Sequence, residues 1–168
     1  WYHLAEQWAD EQLKALELQK RVGSERFFPV AYEQLTKDPE SVLRNLCAFM
    51  DVPFHESMLD FYTSAEADRT AVTALWANVK QPVKKDNTGK FLTQASEEEI
   101  RVFESVAYKA LDALGYSRAY VQPGEEIHFT EAQIKAFEAE NSALKAKAIA
   151  ETAQEDLALR EPQDEFLK

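Results

Sequence analysis

Apolar residues recur at helical spacing along most of the 168-residue chain. Leu4, Trp8, Leu13, Leu16 and Leu18 form an imperfect stripe that predicts an amphipathic helix over Tyr2 to Arg21, with Gly23 as its stop. The run from Arg26 to Tyr32 has the length and apolar content of a strand. Pro29 within it lacks an amide donor, which favours an edge or early strand position. Asp38-Pro39-Glu40 then reads as a helix start, with a capping carboxylate, a proline at the first helical position and an acid at the positive helix end. Val42, Leu43, Leu46, Phe49 and Met50 continue that helix, and Asp51-Val52-Pro53 closes it.

Further helices are predicted over Glu56 to Ser64 and over Ala67 to Trp76, followed by an aperiodic ordered loop from Asn78 to Leu92. Ser96 and Glu99 have capping-box spacing. The apolar face from Ile100 to Leu114 and the glycine at 115 complete a helix with both ends specified. Pro123-Gly124 marks a break. From Thr130 to about Leu159 an Ala- and Glu-rich stretch predicts one long helix that Pro162 ends. Ile134, Phe137, Asn141, Leu144 and Ala148 fall near a heptad seam of about two heptads. The pattern divides the chain into residues 1–120 and a helical tail, 121–168. The segment is mostly α with one or few strands. A lone strand needs partners, so they are expected upstream, in an α/β parent with a parallel sheet.

Composition narrows the function. Hydrophobic residues make up 45% of the chain, which fits a globular core rather than disorder. With only 4 Gly, neither an all-β fold nor a glycine-rich phosphate loop is expected. The net charge of −11 argues against general nucleic-acid binding. Residues 123–168 carry 11 acidic and 5 basic side chains, or −6; residues 1–122 carry 19 and 14, or −5. The longer part is nearer neutrality per residue, so an anion site belongs there. Cys47 is the one cysteine, which rules out an internal disulfide. No apolar run long enough to span a membrane and no signal peptide is present, and a cytoplasmic location is the expectation. His3, His55 and His128 match no metal-ligand spacing, so no metal is expected.

Four stretches, taken in order, resemble the sulfotransferase superfamily, and within it the tyrosylprotein and bacterial-type branch. Val30-Ala31-Tyr32-Glu33-Gln34-Leu35 with Asp38-Pro39-Glu40 resembles the family's strand, Tyr-Glu-x-Leu and Pro-Glu helix start. Leu46 to Phe54 resembles its helix ending in Phe-Leu-Gly-Ile-Pro-Phe, with Asp51 where Gly is common. Pro82-Val83 with Gly89-Lys90-Phe91 is similar to a Lys-Pro-Val loop followed by Gly-Lys-Trp, with Gln81 and Phe91 as departures. Leu114-Gly115-Tyr116 matches the close of the last helix of the family fold. The resemblance spans roughly residues 1–116 and implies the C-terminal half of a P-loop-like α/β sulfotransferase. The family's phosphate loop, 3′-phosphate ligands and base precede the matched region, so no catalytic residue is assigned. A chain opening at Trp1 in a helical pattern reads as a fragment or processed product, expected to be inactive alone.

The implied donor substrate is 3′-phosphoadenosine-5′-phosphosulfate, without a metal, and the acceptor is a hydroxyl or amine. Tyr32, at a strand end where open α/β sheets bind ligands, is the implied nucleotide contact. Its alternative is a packed tyrosine with a satisfied hydroxyl. Lys80, Lys84, Lys85 and Lys90 form the densest basic stretch, and Lys80 and Lys90 are favoured as cofactor contacts. The bland alternative is a solvated loop. Cys47, Trp8 and Trp76 read as packing residues, with a place bordering the cofactor loop as the alternative for Trp76. The tail seam, with Asn141, allows a homodimer through the C-terminal helix. The rival function is a non-catalytic helical module that binds a protein partner through the acidic tail and an apolar groove.

Overall fold

The computed structural model describes residues 1–72, 74–85, 87–158 and 166. In chain order the helices are α1 (Tyr2–Val22), α2 (Tyr32–Lys37), α3 (Pro39–Phe49), α4 (Ala65–Thr70), α5 (Phe91–Gln94), α6 (Glu97–Leu114), α7 (Glu131–Glu151) and α8 (Gln154–Ala158). Short 3₁₀ helices cover Glu56–Met58, Phe61–Thr63 and Ala74–Lys80. The chain forms two compact units, one of Trp1–Phe27 with Gly89–Ala150, the other of Phe28–Thr88 with Glu151–Lys168.

The first unit is built on α1 against α6. Its buried centre is Ala5, Ala9, Ala107, Ala110 and Leu111, with Trp8, Leu13, Phe103 and Val106 packed around it. The predicted leucine stripe of α1 is only part of the contact, since Leu4 is 56% exposed and Leu18 39%. Alanines take the closest positions because a methyl group lets two helix backbones approach while larger side chains close the flanks. Trp8 sits 5.6 Å from Phe103, ring centre to ring centre. At the other end, Tyr2 stacks on Phe137 of α7 at 5.3 Å, and Phe129 meets both rings edge-on. Leu144 and Ile149, further along α7, stay exposed.

Both ends of α6 follow from sequence. Ser96 Oγ accepts from the Glu99 N–H, and the Glu99 carboxylate accepts from the Ser96 N–H at 2.7 Å. That amide, and then the Ser96 hydroxyl, hold the Glu99 carboxyl below the usual carboxylate range. Gly115 has φ 76°, and the amides of Gly115 and Tyr116 donate to the carbonyls of Asp112 and Leu111. These two crossed bonds are the Schellman arrangement, which needs a left-handed residue at this point.

Beyond α6 the chain is tied back by buried polar groups. Glu104, 4% exposed, accepts the amides of Ala119 (2.5 Å), Tyr120 (3.0 Å) and Val121 (2.8 Å). Ser105 Oγ accepts the Ile127 amide. Arg118 joins Glu126 at 2.6 Å and Asp112 at 3.0 Å. The Arg118 guanidinium, through its hydrogen bond, holds the Glu126 carboxyl below the usual carboxylate range.

The second unit departs from the predicted strand. Among the described residues no strand occurs. Residues 28–31 precede α2 without regular structure; Ala31 is extended, with φ −83° and ψ 135°, and its carbonyl already accepts the Leu35 amide. Strand backbone is stable when its amides and carbonyls are shared with a neighbouring strand, and among the described residues no strand pairs with this segment. Tyr32 therefore opens a helix rather than ending a strand. The Asp38 carboxylate caps α3 through the Ser41 amide, as its sequence predicts. At the far end of α3, Asp51 has φ 54°, and the Asp51 and Val52 amides donate to Ala48 and Cys47. This is a second Schellman cap, with Asp standing where Gly is easier.

The helix expected over Glu56 to Ser64 is two separate 3₁₀ turns, and the next is split between α4 and the 3₁₀ helix ending at Lys80. Segments this short gain little from local hydrogen bonding, so tertiary contacts set their form. Cys47 is a buried core residue, whereas Trp76 is 54% exposed and not the packing residue expected. The long tail helix is interrupted between α7 and α8, and its predicted end at Leu159 and Pro162 lies outside the described residues.

Candidate functional site

Within the second unit, α2, α3, the two 3₁₀ turns, Asn78, residues 81–84 and Asn87 line a cleft of about 430 Å³. Its size suits a small organic ligand. The apolar wall starts with Leu35 on α2 and Leu43 on α3. Met58, Leu59 and Phe61 face them from the 3₁₀ turns, and Pro82 and Val83 close the remaining side. Cys47, behind Met58, has its Sγ 3.7 Å from the Met58 sulfur, which fixes this wall to α3.

Polar groups complete the cleft lining. Asn87 Nδ2 donates to the Tyr32 hydroxyl across 55 positions of sequence. Lys84 Nζ donates to Asn78 Oδ1 at 2.9 Å. Tyr32, Asn78, Lys84 and Asn87 all line the cleft, and among the described residues that line it none is acidic. In a chain of net charge −11 that is a local reversal of sign.

The sequence-predicted residues divide. Tyr32 lines the cleft, 49% exposed. Lys80, at the end of its 3₁₀ helix, is ion-paired with Asp68 of α4 and is not among the described lining residues. Lys90 belongs to the first unit, where its exposed side chain leaves α5 and its carbonyl accepts the Thr93 and Gln94 amides. The cluster member that meets Tyr32's cleft is Lys84. Its position one residue beyond Pro82-Val83 was the available signal. Asn78 and Asn87 carried no signal, because their partners are set by loop folding.

Among the described residues no group of three or more His, Cys, Asp or Glu could hold a metal. No helix among them is long and apolar enough to cross a membrane.

The sulfotransferase family model matches residues 1–56. That stretch, a third of the chain, is similar to sulfotransferase-family sequence. It carries the Tyr-Glu-x-Leu and Pro-Glu elements, and so one wall of the cleft: Tyr32, Leu35, Thr36, Pro39 and Leu43. The match supports sulfotransfer chemistry in general. No curated protein and no solved structure matches the chain.

Proposed function

We propose that the chain is the C-terminal half of a sulfotransferase that moves a sulfuryl group from 3′-phosphoadenosine-5′-phosphosulfate to a hydroxyl or amine. The observation that carries this is the family match over residues 1–56, which contains the Tyr32 motif. The donor supplies an activated sulfuryl group. The protein's task is to align acceptor and leaving phosphate and to stabilise negative charge with lysine, arginine and backbone donors. Tyr32, Lys80 and Lys90 are the proposed nucleotide contacts. Tyr32 fits the part best, since it lines a cleft free of acidic groups among the described residues. Lys80 would have to exchange its Asp68 partner for a phosphate, which an exposed ion pair permits at small cost. By itself the chain is expected to support no turnover.

The test is titration of the full-length protein with adenosine 3′,5′-bisphosphate by calorimetry. Binding that weakens several-fold in Tyr32→Phe, Lys80→Ala or Lys90→Ala supports the reading. Binding unchanged in all three removes these contacts. Absence of any nucleotide binding favours the rival, a helical interaction module. Leu144 and Ile149, exposed on α7, are the features that favour the rival and the proposed homodimer. Sedimentation of the chain reads out the dimer directly.

A further inference from the structure

The cleft of the second unit combines three properties that together specify a ligand class. Its wall is apolar: Leu35, Leu43, Leu59, Phe61 and Val83 offer aliphatic and aromatic surface to whatever enters. Its described lining includes one cationic group, Lys84, and no carboxylate. Its other polar members are Tyr32, Thr36, Asn78, Gln81 and Asn87; of these Tyr32 is paired with Asn87 and Asn78 with Lys84, in bonds that leave donors over. The Lys84 ammonium has three N–H groups, of which the bond to Asn78 uses one; the Asn87 amide has two, of which the bond to Tyr32 uses one. A neutral apolar ligand would leave these donors solvated but unused. A cation would meet Lys84 at close range, and an ion without an apolar body would leave the wall wet.

We infer that this cleft binds an amphiphilic organic anion, with an aryl or alkyl body against the Leu35–Leu43–Phe61 wall and a sulfate, sulfonate or carboxylate end at Lys84 and Asn87. The cleft is the one in which Tyr32 is the proposed nucleotide contact, and the inference is argued from its lining without requiring sulfuryl transfer. It assigns to Lys84 an anion-binding role that the sequence had favoured for Lys80 and Lys90. Burial of the body supplies the affinity, at roughly 25 cal/mol per Å² of apolar surface removed from water. The charged end supplies selectivity, and because Lys84 is exposed that selectivity is modest.

The experiment is an NMR titration of the ¹⁵N-labelled 168-residue chain with naphthalene-2-sulfonate and, separately, with neutral 2-naphthol. The expected result is saturable shifts confined to amides of residues 32–43, 58–61, 78–84 and 87. The sulfonate should bind about two- to five-fold more tightly than the naphthol, the range for one exposed charge pair. Lys84→Ala should abolish that preference and Lys84→Glu should reverse it, while Lys14→Ala, on α1 of the other unit, should leave it intact. Circular dichroism of each variant checks folding, and neither Lys84 substitution removes a buried group. Leu43→Glu is the second arm, in which both ligands should lose affinity. Equal affinity of sulfonate and naphthol in the native chain would overturn the inference. So would shifts centred outside the cleft, or a preference that survives Lys84→Glu.

Discussion

Replacing Glu104 by Ala removes the acceptor that ties the segment after α6 to its own helix. Two carboxylate oxygens serve three amides: Oε1 takes that of Ala119, and Oε2 takes those of Tyr120 and Val121. Val121 is 1% exposed, so water cannot replace the lost partner and its amide carries the full desolvation penalty, about 1–3 kcal/mol. Tyr120 is half-buried and Ala119 exposed, so water can reach those amides and each loses only the net value of a hydrogen bond, about 1 kcal/mol. The carboxylate's own burial cost is relieved, which offsets part of the sum. The expected destabilisation is about 3 kcal/mol. Glu104→Gln should cost about 2 kcal/mol, because its carbonyl can serve one set of amides while its NH₂ group points donors at the other. The assay is urea unfolding followed by far-ultraviolet circular dichroism, with hydrogen exchange of the Val121 amide as the local readout. A Glu104→Ala cost under about 0.5 kcal/mol, or unchanged protection at Val121, would refute the reasoning.

Four further outcomes are expected. Ala5→Leu or Ala107→Leu, both at 0% exposure in the α1–α6 seam, should overpack it and cost about 1–3 kcal/mol in urea unfolding. Ser96→Ala should cost about 1 kcal/mol by loss of the capping box, measured the same way. Asp51→Gly should be neutral or stabilising by up to about 1 kcal/mol, since φ 54° is easier for Gly, whereas Asp51→Val should destabilise by about 1–2 kcal/mol. Glu126 and Glu99 titrate lower in the folded than in the unfolded chain, so their contribution is complete above the ordinary glutamate pKa of about 4.3 and is lost as pH falls through the folded values. Urea midpoints should therefore fall between pH 5 and pH 3, and less so in Glu126→Gln.

Local structure was legible in the sequence wherever a few adjacent residues decide it. The caps at Asp38, Ser96 and Gly115 depend on hydrogen bonds that span three to five positions, and each occurs where the sequence places it. Asp51 was marked by standing at a glycine position, and its positive φ follows from the same turn. The family likeness was also a property of sequence, carried by the order of short motifs, and residues 1–56 bear it. What lay beyond reach depended on partners far along the chain. The Arg26–Tyr32 run has strand composition, but a strand exists only where another strand shares its hydrogen bonds, and here the segment leads into α2 instead. The α1 stripe ranked leucines by size, whereas the seam was decided by which face of α6 the helix meets, and alanines allow the closer approach. Lys80 and Lys84 are indistinguishable as lysines. Only the fold pairs the first with Asp68 and sets the second in the cleft with Tyr32, because a loop's side chains take their partners from contacts that sequence distance does not encode.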